Sequence, residues 1–151
     1  MSRAAGCPLC EGPGGSLVFE CAAFRVIRAN EAGFPAFYRV VWQEHVAEFS
    51  DLSPADRSVV MSAAVVVEQA LREVLQPDKI NLAALGNAVP HLHWHVVARY
   101  RWDERFPASV WSPVLRAPDA ASLQAVEAKL EALDALISQR LRAGSGNCTG
   151  L

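Results

Sequence analysis

Apolar residues recur along the chain with two periods, and the changes between them mark its elements. GPGG (12–15) is a turn, after which SLVFE (16–20) and FRVIR (24–28) read as two short strands, with Cys21-Ala22-Ala23 turning between them. NEAGFPA (30–36) is a loop by its glycine and proline, and FYRVVW (37–42) is a third strand, rich in aromatic and β-branched residues. The period then lengthens: Val59, Val60, Ala63, Val66, Val67, Ala70, Leu71, Val74 and Leu75 fall at helical spacing. Ser53 is a good N-cap for that helix, Pro54 suits its first position, Asp56 meets its positive end, and Pro77 stops it. KINLAAL (79–85) is a fourth strand, 86–90 a loop, and His91 to Arg99 a fifth strand. Prolines and polar breaks make 101–118 mostly loop. Leu123, Val126, Leu130, Leu133, Ile137 and Leu141 then lie on one face of a helix over about 119–142.

Strands, a long helix, strands again and a last helix predict an α+β domain, not alternating βαβ units. At 151 residues, with neither repeat nor linker, the chain reads as one domain. Its core is expected over about 7–115, with a C-terminal helix over 119–142 and a mobile tail over 143–151. A net charge of -2 excludes a basic field for sequence-independent nucleic-acid binding. No apolar run approaches the ~20 residues of a membrane span. The start, MSRAAGCPLC, lacks a secretory apolar stretch, so a cytoplasmic protein that needs no disulfide staples is expected. Cys21 then reads as a small apolar filler, and Cys148 sits in the tail. Cys7 and Cys10 form a Cys-x-x-Cys pair, which under reducing conditions suggests a metal or redox role.

The chemistry concentrates in PHLHWHVVAR (90–99), where three of the chain's four histidines stand at alternate positions. Strand side chains alternate faces, so His91, His93 and His95 are expected on one face, with Leu92, Trp94 and Val96 turned to a core. Incidental alternation is one reading. A three-histidine metal site is a second, but three successive same-face residues span too far for easy tetrahedral geometry, and no carboxylate ligand is suitably placed. The third is nucleophilic catalysis, which needs a neutral imidazole with one nitrogen aimed at substrate and the other held as N–H by an acceptor.

HLHWHVV matches the His-x-His-x-His pattern, followed by two apolar residues, of the histidine triad (HIT) superfamily of nucleotide hydrolases and transferases, and the chain resembles that superfamily over about 7–100. Gly86-Asn87-Ala88-Val89-Pro90 stands where the family has its phosphate-binding loop, and Arg99 follows the triad at the usual distance. VVWQEHVAEFSDLSP (40–54) is similar to the family's strand, His-Val turn and helix start, and residues 77–99 especially resemble a bacterial branch. Three positions depart from the pattern: Asn87 replaces glutamine but keeps an amide, Phe37 stands where many members have a histidine, and Ala98 replaces a proline.

The resemblance implies an antiparallel sheet of about five strands and an enzyme working at the α-phosphate of a nucleotide. Its substrates would be dinucleoside polyphosphates or nucleoside phosphoramidates. His93 would be the nucleophile and form a nucleotidyl-histidine. His95 would bond the phosphate and help protonate the leaving group, and Asn87 would bond the phosphate side. Asn30 is a candidate for the ribose hydroxyls against the reading of an ordinary loop asparagine, and Arg99 for a phosphate against that of an exposed strand-end arginine. No catalytic cofactor is implied. Some bacterial members carry structural zinc, which places Cys7, Cys10, His45 and His91 here as a Cys2His2 set. Family members also pair as homodimers. Trp102, Phe106 and Trp111 could serve a partner's pocket, a lid or the core, with core favoured. The competing function is a non-catalytic nucleotide-binding or zinc-stabilised interaction module of the same fold.

Overall fold

A computed structural model of the chain describes residues 2–144. Helix α1 (Pro8–Glu11) precedes strands β1 (Ser16–Glu20), β2 (Phe24–Arg28) and β3 (Phe37–Trp42). A 3-10 turn at Phe49–Asp51 leads into helix α2 (Pro54–Leu75), followed by β4 (Lys79–Ala83), β5 (His93–Arg99), α3 (Ala120–Glu127) and α4 (Leu130–Gly144). The strands form one antiparallel sheet ordered β1-β2-β3-β5-β4, as expected of an α+β chain. The family-implied strand number is also met.

The capping signals act as the sequence reading requires. The Ser53 hydroxyl accepts from the Asp56 N–H at 3.1 Å, an arrangement that commonly contributes about 1 kcal/mol to helix stability. The helix ends on Gln76 in the left-handed region at φ 49°, just before Pro77. Helices α2 and α4 cover one sheet face. There Val60, Ala64, Val67 and Leu71 of α2 meet Val26, Tyr38, Val40 and Val96, with Leu133 and Ile137 from α4. Asp134 pins α4 down by accepting from the Tyr38 hydroxyl at 2.6 Å and pairing with Arg28 at 3.1 Å.

Several expectations are corrected. β5 begins at His93, not His91: the Leu92 carbonyl still accepts from the N–H of Trp42, the last residue of β3, at 3.1 Å, but Leu92 N–H turns to the Val46 carbonyl beyond β3 at 2.7 Å. β4 stops at Ala83, two residues before the expected end at Leu85. The C-terminal helix is two helices. Lys129 N–H reaches back only to Val126 O at 3.0 Å, and this tight turn interrupts the ladder while the apolar spacing runs on. Cys21 is buried in the main core as expected, but it is disulfide-bonded, against the expectation of unlinked thiols. The expected tail lies, from residue 145 on, outside the described residues. No helix among the described residues is long and apolar enough to cross a membrane.

Candidate functional site

The sheet face away from α2 carries the chemistry. Register pairs Val41 with His93, Arg39 with His95 and Phe37 with Val97, so these side chains share that face. His93 and His95 meet edge to face, with ring centroids 4.7 Å apart. Phe37 and Trp111 bound His95, at 5.3 and 5.1 Å from its ring. As expected, Leu92 and Val96 are buried in the main core, and Trp94 packs against it.

The backbone settles the tautomer of His93. Its Nδ1–H donates to the His91 carbonyl at 2.6 Å, which leaves Nε2 as a lone pair that makes no hydrogen bond among the described residues. Burial pushes its pKa below the ordinary 6.5, so the imidazole is neutral at neutral pH. His95 goes further: burial, then the neighbouring His93 and Arg39, push it down to about 3. Its Nδ1 is sealed from solvent without a partner. One imidazole is thus oriented and unprotonated, which a nucleophile needs, with a second neutral imidazole against it.

His91 lies on the same side of the sheet, where its neighbours Cys7 and Cys10 pack against Ile27 and Val41. It sits in the turn before β5, fully buried, and its Nε2–H donates to the Trp42 carbonyl at 2.7 Å. Its Nδ1 then faces Cys7 Sγ at 3.5 Å and Cys10 Sγ at 3.4 Å, while His45 Nδ1 lies 3.5 Å from Cys10 Sγ. The four ligand atoms fall within 4.8 Å of one another. A tetrahedral zinc with bonds of about 2.3 Å to sulfur and 2.0–2.1 Å to nitrogen spaces its S and N ligands roughly 3.5 Å apart. The donor set therefore fits such an ion, and the Trp42 carbonyl supplies the outer bond that fixes a ligating histidine. Cys7 stands at the N-cap of α1 and Cys10 lies within it, with both thiols buried.

Other candidates separate. Asn87 lies exposed in the 86–90 loop, whose turn begins at Gly86 with φ +77°, a conformation L side chains avoid. Asn30 is exposed in the loop after β2. Arg99 is neither exposed nor free: it is 1% accessible. Its Nε and Nη2 donate to the Asp103 carboxylate at 2.8 and 3.1 Å, Nη1 to Asn81 Oδ1 at 2.7 Å, and Nη2 also to the Ala108 carbonyl at 2.8 Å. The reading of an exposed strand-end arginine is corrected. Arg99 is a buried latch that holds the 101–118 loop to the sheet. Trp111, on that loop, is 51% exposed, so its core reading fails, while Trp102 packs against the main core.

Sequence reasoning missed two arginines. Arg25 is 6% accessible and bonds the carbonyls of Leu9 (2.6 Å) and Pro13 (3.1 Å), which clamps the Cys-x-x-Cys segment to β2. A cavity of about 350 Å³ borders it and contains neither His93 nor His95. Arg39 stands beside the triad. An arginine at an interior position of a short strand was the available signal for each.

A family model described as HIT domain matches residues 15–102. No curated protein matches the chain. Among solved structures, a histidine triad protein from Bradyrhizobium japonicum is 28% identical at TM-score 0.67, covering 87% of this chain and 98% of its own. A histidine triad protein from Marinobacter aquaeolei is 27% identical at TM-score 0.66, covering 85% and 92%. A Zn-bound histidine triad family protein from Mycobacterium smegmatis, at 23% identity and TM-score 0.63, covers 91% and 97% and shares the fold. With the domain match over more than half of its length and the triad in place, the chain belongs to the HIT family.

Proposed function

We propose that this protein is a nucleotide hydrolase, or a nucleotidyl transferase, that works through a covalent His93 intermediate. The observation that carries the reading is the His93 Nδ1–H bond to the His91 carbonyl at 2.6 Å, with Nε2 left unpartnered. Nε2 attacks the α-phosphorus, an N–P bond forms, and the P–O or P–N bond to the leaving group breaks. Water then cleaves the N–P bond, releases a nucleoside monophosphate and regenerates neutral His93. Catalysis of this kind rests on position and charge around the phosphoryl group more than on proton transfer.

His95 with its proton on Nε2 keeps the sealed Nδ1 as a lone pair and donates that N–H as a hydrogen bond to a phosphate oxygen, while a leaving amine takes its proton from water. Asn87 reaches the phosphate from the 86–90 loop, and Asn30 is the candidate for the ribose. Arg99 is left out of substrate binding in this reading, because it is buried and each of its guanidinium nitrogens already bonds a protein oxygen. We propose structural zinc on Cys7, Cys10, His45 and His91, supported by their spacing and by the zinc-bound relative. A closed tetrahedral ion there supplies no reaction chemistry and stiffens the turn that carries the His91 carbonyl. The chain is further proposed to work in the cytoplasm as a homodimer, in keeping with the edges that β1 and β4 leave on the sheet.

The test incubates the protein with adenine and guanine nucleotide conjugates and follows monophosphate release, with acid-quenched intact mass to trap the adduct. Release with a nucleotidyl adduct in the wild type, absent in His93→Ala, is the expected result. Binding without release would mark a nucleotide-binding module instead.

A further inference from the structure

Arg39 is the cation on the triad face for which the reaction as described has no use. It lies opposite His95 in the β3–β5 register. Its guanidinium carbon stands 5.5 Å from the centroid of Phe37, the ring that edges His95. Its side chain is 22% exposed, and only one of its nitrogens is engaged: Nη2 donates to Glu31 at 2.8 Å. Nε is enclosed without a partner, and Nη1 makes no hydrogen bond among the described residues. Glu31 thus holds the head group by one nitrogen and leaves donor capacity on a cation whose charge is felt by both His93 and His95. Arg25 and Arg99 on the same sheet, by contrast, have each of their three guanidinium nitrogens bonded to a protein oxygen.

We infer that Arg39 binds the phosphate chain of the leaving group and so selects substrates in which the α-phosphate is joined to further phosphates over those in which it carries an amine. The inference rests on the nucleotide reading above and deepens it. When Nε2 of His93 forms the N–P bond and the bridging P–O bond breaks, the electron pair stays on a phosphate oxygen, and the departing group gains negative charge without needing a proton. A fixed guanidinium opposes that charge directly. When a P–N bond breaks, the departing nitrogen needs a proton, and Arg39 gives it nothing. Neutral His95, held well below its ordinary pKa, is a weak proton source in the free enzyme, which tilts the balance the same way.

The experiment compares kcat/KM for diadenosine triphosphate and adenosine phosphoramidate in wild type, Arg39→Lys and Arg39→Met, with far-UV melting to verify folding. Losing a charge-assisted contact costs roughly ten- to a hundredfold. The ratio of the two kcat/KM values should fall by about that factor in Arg39→Met and by less in Arg39→Lys, whatever loss is common to both substrates. An unchanged ratio overturns the inference. A second arm needs no turnover: inorganic tripolyphosphate should bind His93→Ala protein by calorimetry and bind the double variant His93→Ala, Arg39→Met at least roughly tenfold more weakly. Equal affinities would also overturn it. If the wild type turns over neither nucleotide, the reading of the preceding section fails, and the calorimetric arm still decides on Arg39.

Discussion

Replacing Arg99 by methionine separates a latch from a phosphate contact. The change removes a buried guanidinium of similar reach and leaves the Asp103 carboxylate, the Asn81 amide oxygen and the Ala108 carbonyl without their donor. Removing one member of a buried ion pair commonly costs about 3–5 kcal/mol, because the other charge stays behind uncompensated. Here Asp103 retains the N–H groups of Tyr100 (3.2 Å), Arg105 (3.0 Å) and Phe106 (2.7 Å), so the low end applies. At about 3 kcal/mol, and a urea slope of about 1.5–2 kcal/mol/M for a chain of this size, the midpoint should drop by roughly 1.5–2 M. Equilibrium unfolding in urea, followed by tryptophan fluorescence, measures this. AMP affinity in the cold, where the variant is folded, should change by less than the roughly tenfold expected of a lost charged contact. A stable variant with nucleotide affinity weakened tenfold would refute the latch and restore Arg99 to the substrate.

His93→Ala should lower turnover by at least about a thousandfold with the melting temperature nearly unchanged, and near-normal turnover would exclude the covalent route. Elemental analysis of protein purified without tag or chelator should find about one zinc per chain. Cys7→Ser should lower the melting temperature more than the chemical step, and unchanged melting would contradict the zinc proposal. Burial disfavours the imidazolium forms, so the folded chain binds fewer protons than the unfolded one below pH 6.5. Stability should therefore be full above 6.5 and erode as pH falls toward about 3, with His95→Gln losing less than the wild type in urea melts at pH 5. Light scattering should report a dimer at micromolar concentration, and a species of only 16.4 kDa would refute it.

Periodicity alone located the five strands and the long helix, because a half-buried strand must alternate and a helix must present an apolar stripe. Ser53, Pro54 and Pro77 marked the ends of α2 for local reasons that need no partner. The family resemblance named the triad, and it gathered Cys7, Cys10, His45 and His91, scattered over 85 positions, into a set whose ligand atoms the fold brings together. Alternation could not tell that His91 leaves the strand. Its direction is set by hydrogen bonds between 42–46 and 91–92, and pairings across a loop of that length leave no periodic trace. Nor could it separate Arg25, Arg39 and Arg99. Each is an arginine in a strand, and their roles diverge only because of what surrounds them: loop carbonyls for Arg25, the single carboxylate of Glu31 for Arg39, and a buried aspartate for Arg99. A guanidinium's task is decided by which acceptors surround it, and those arrive from distant parts of the chain only when it folds.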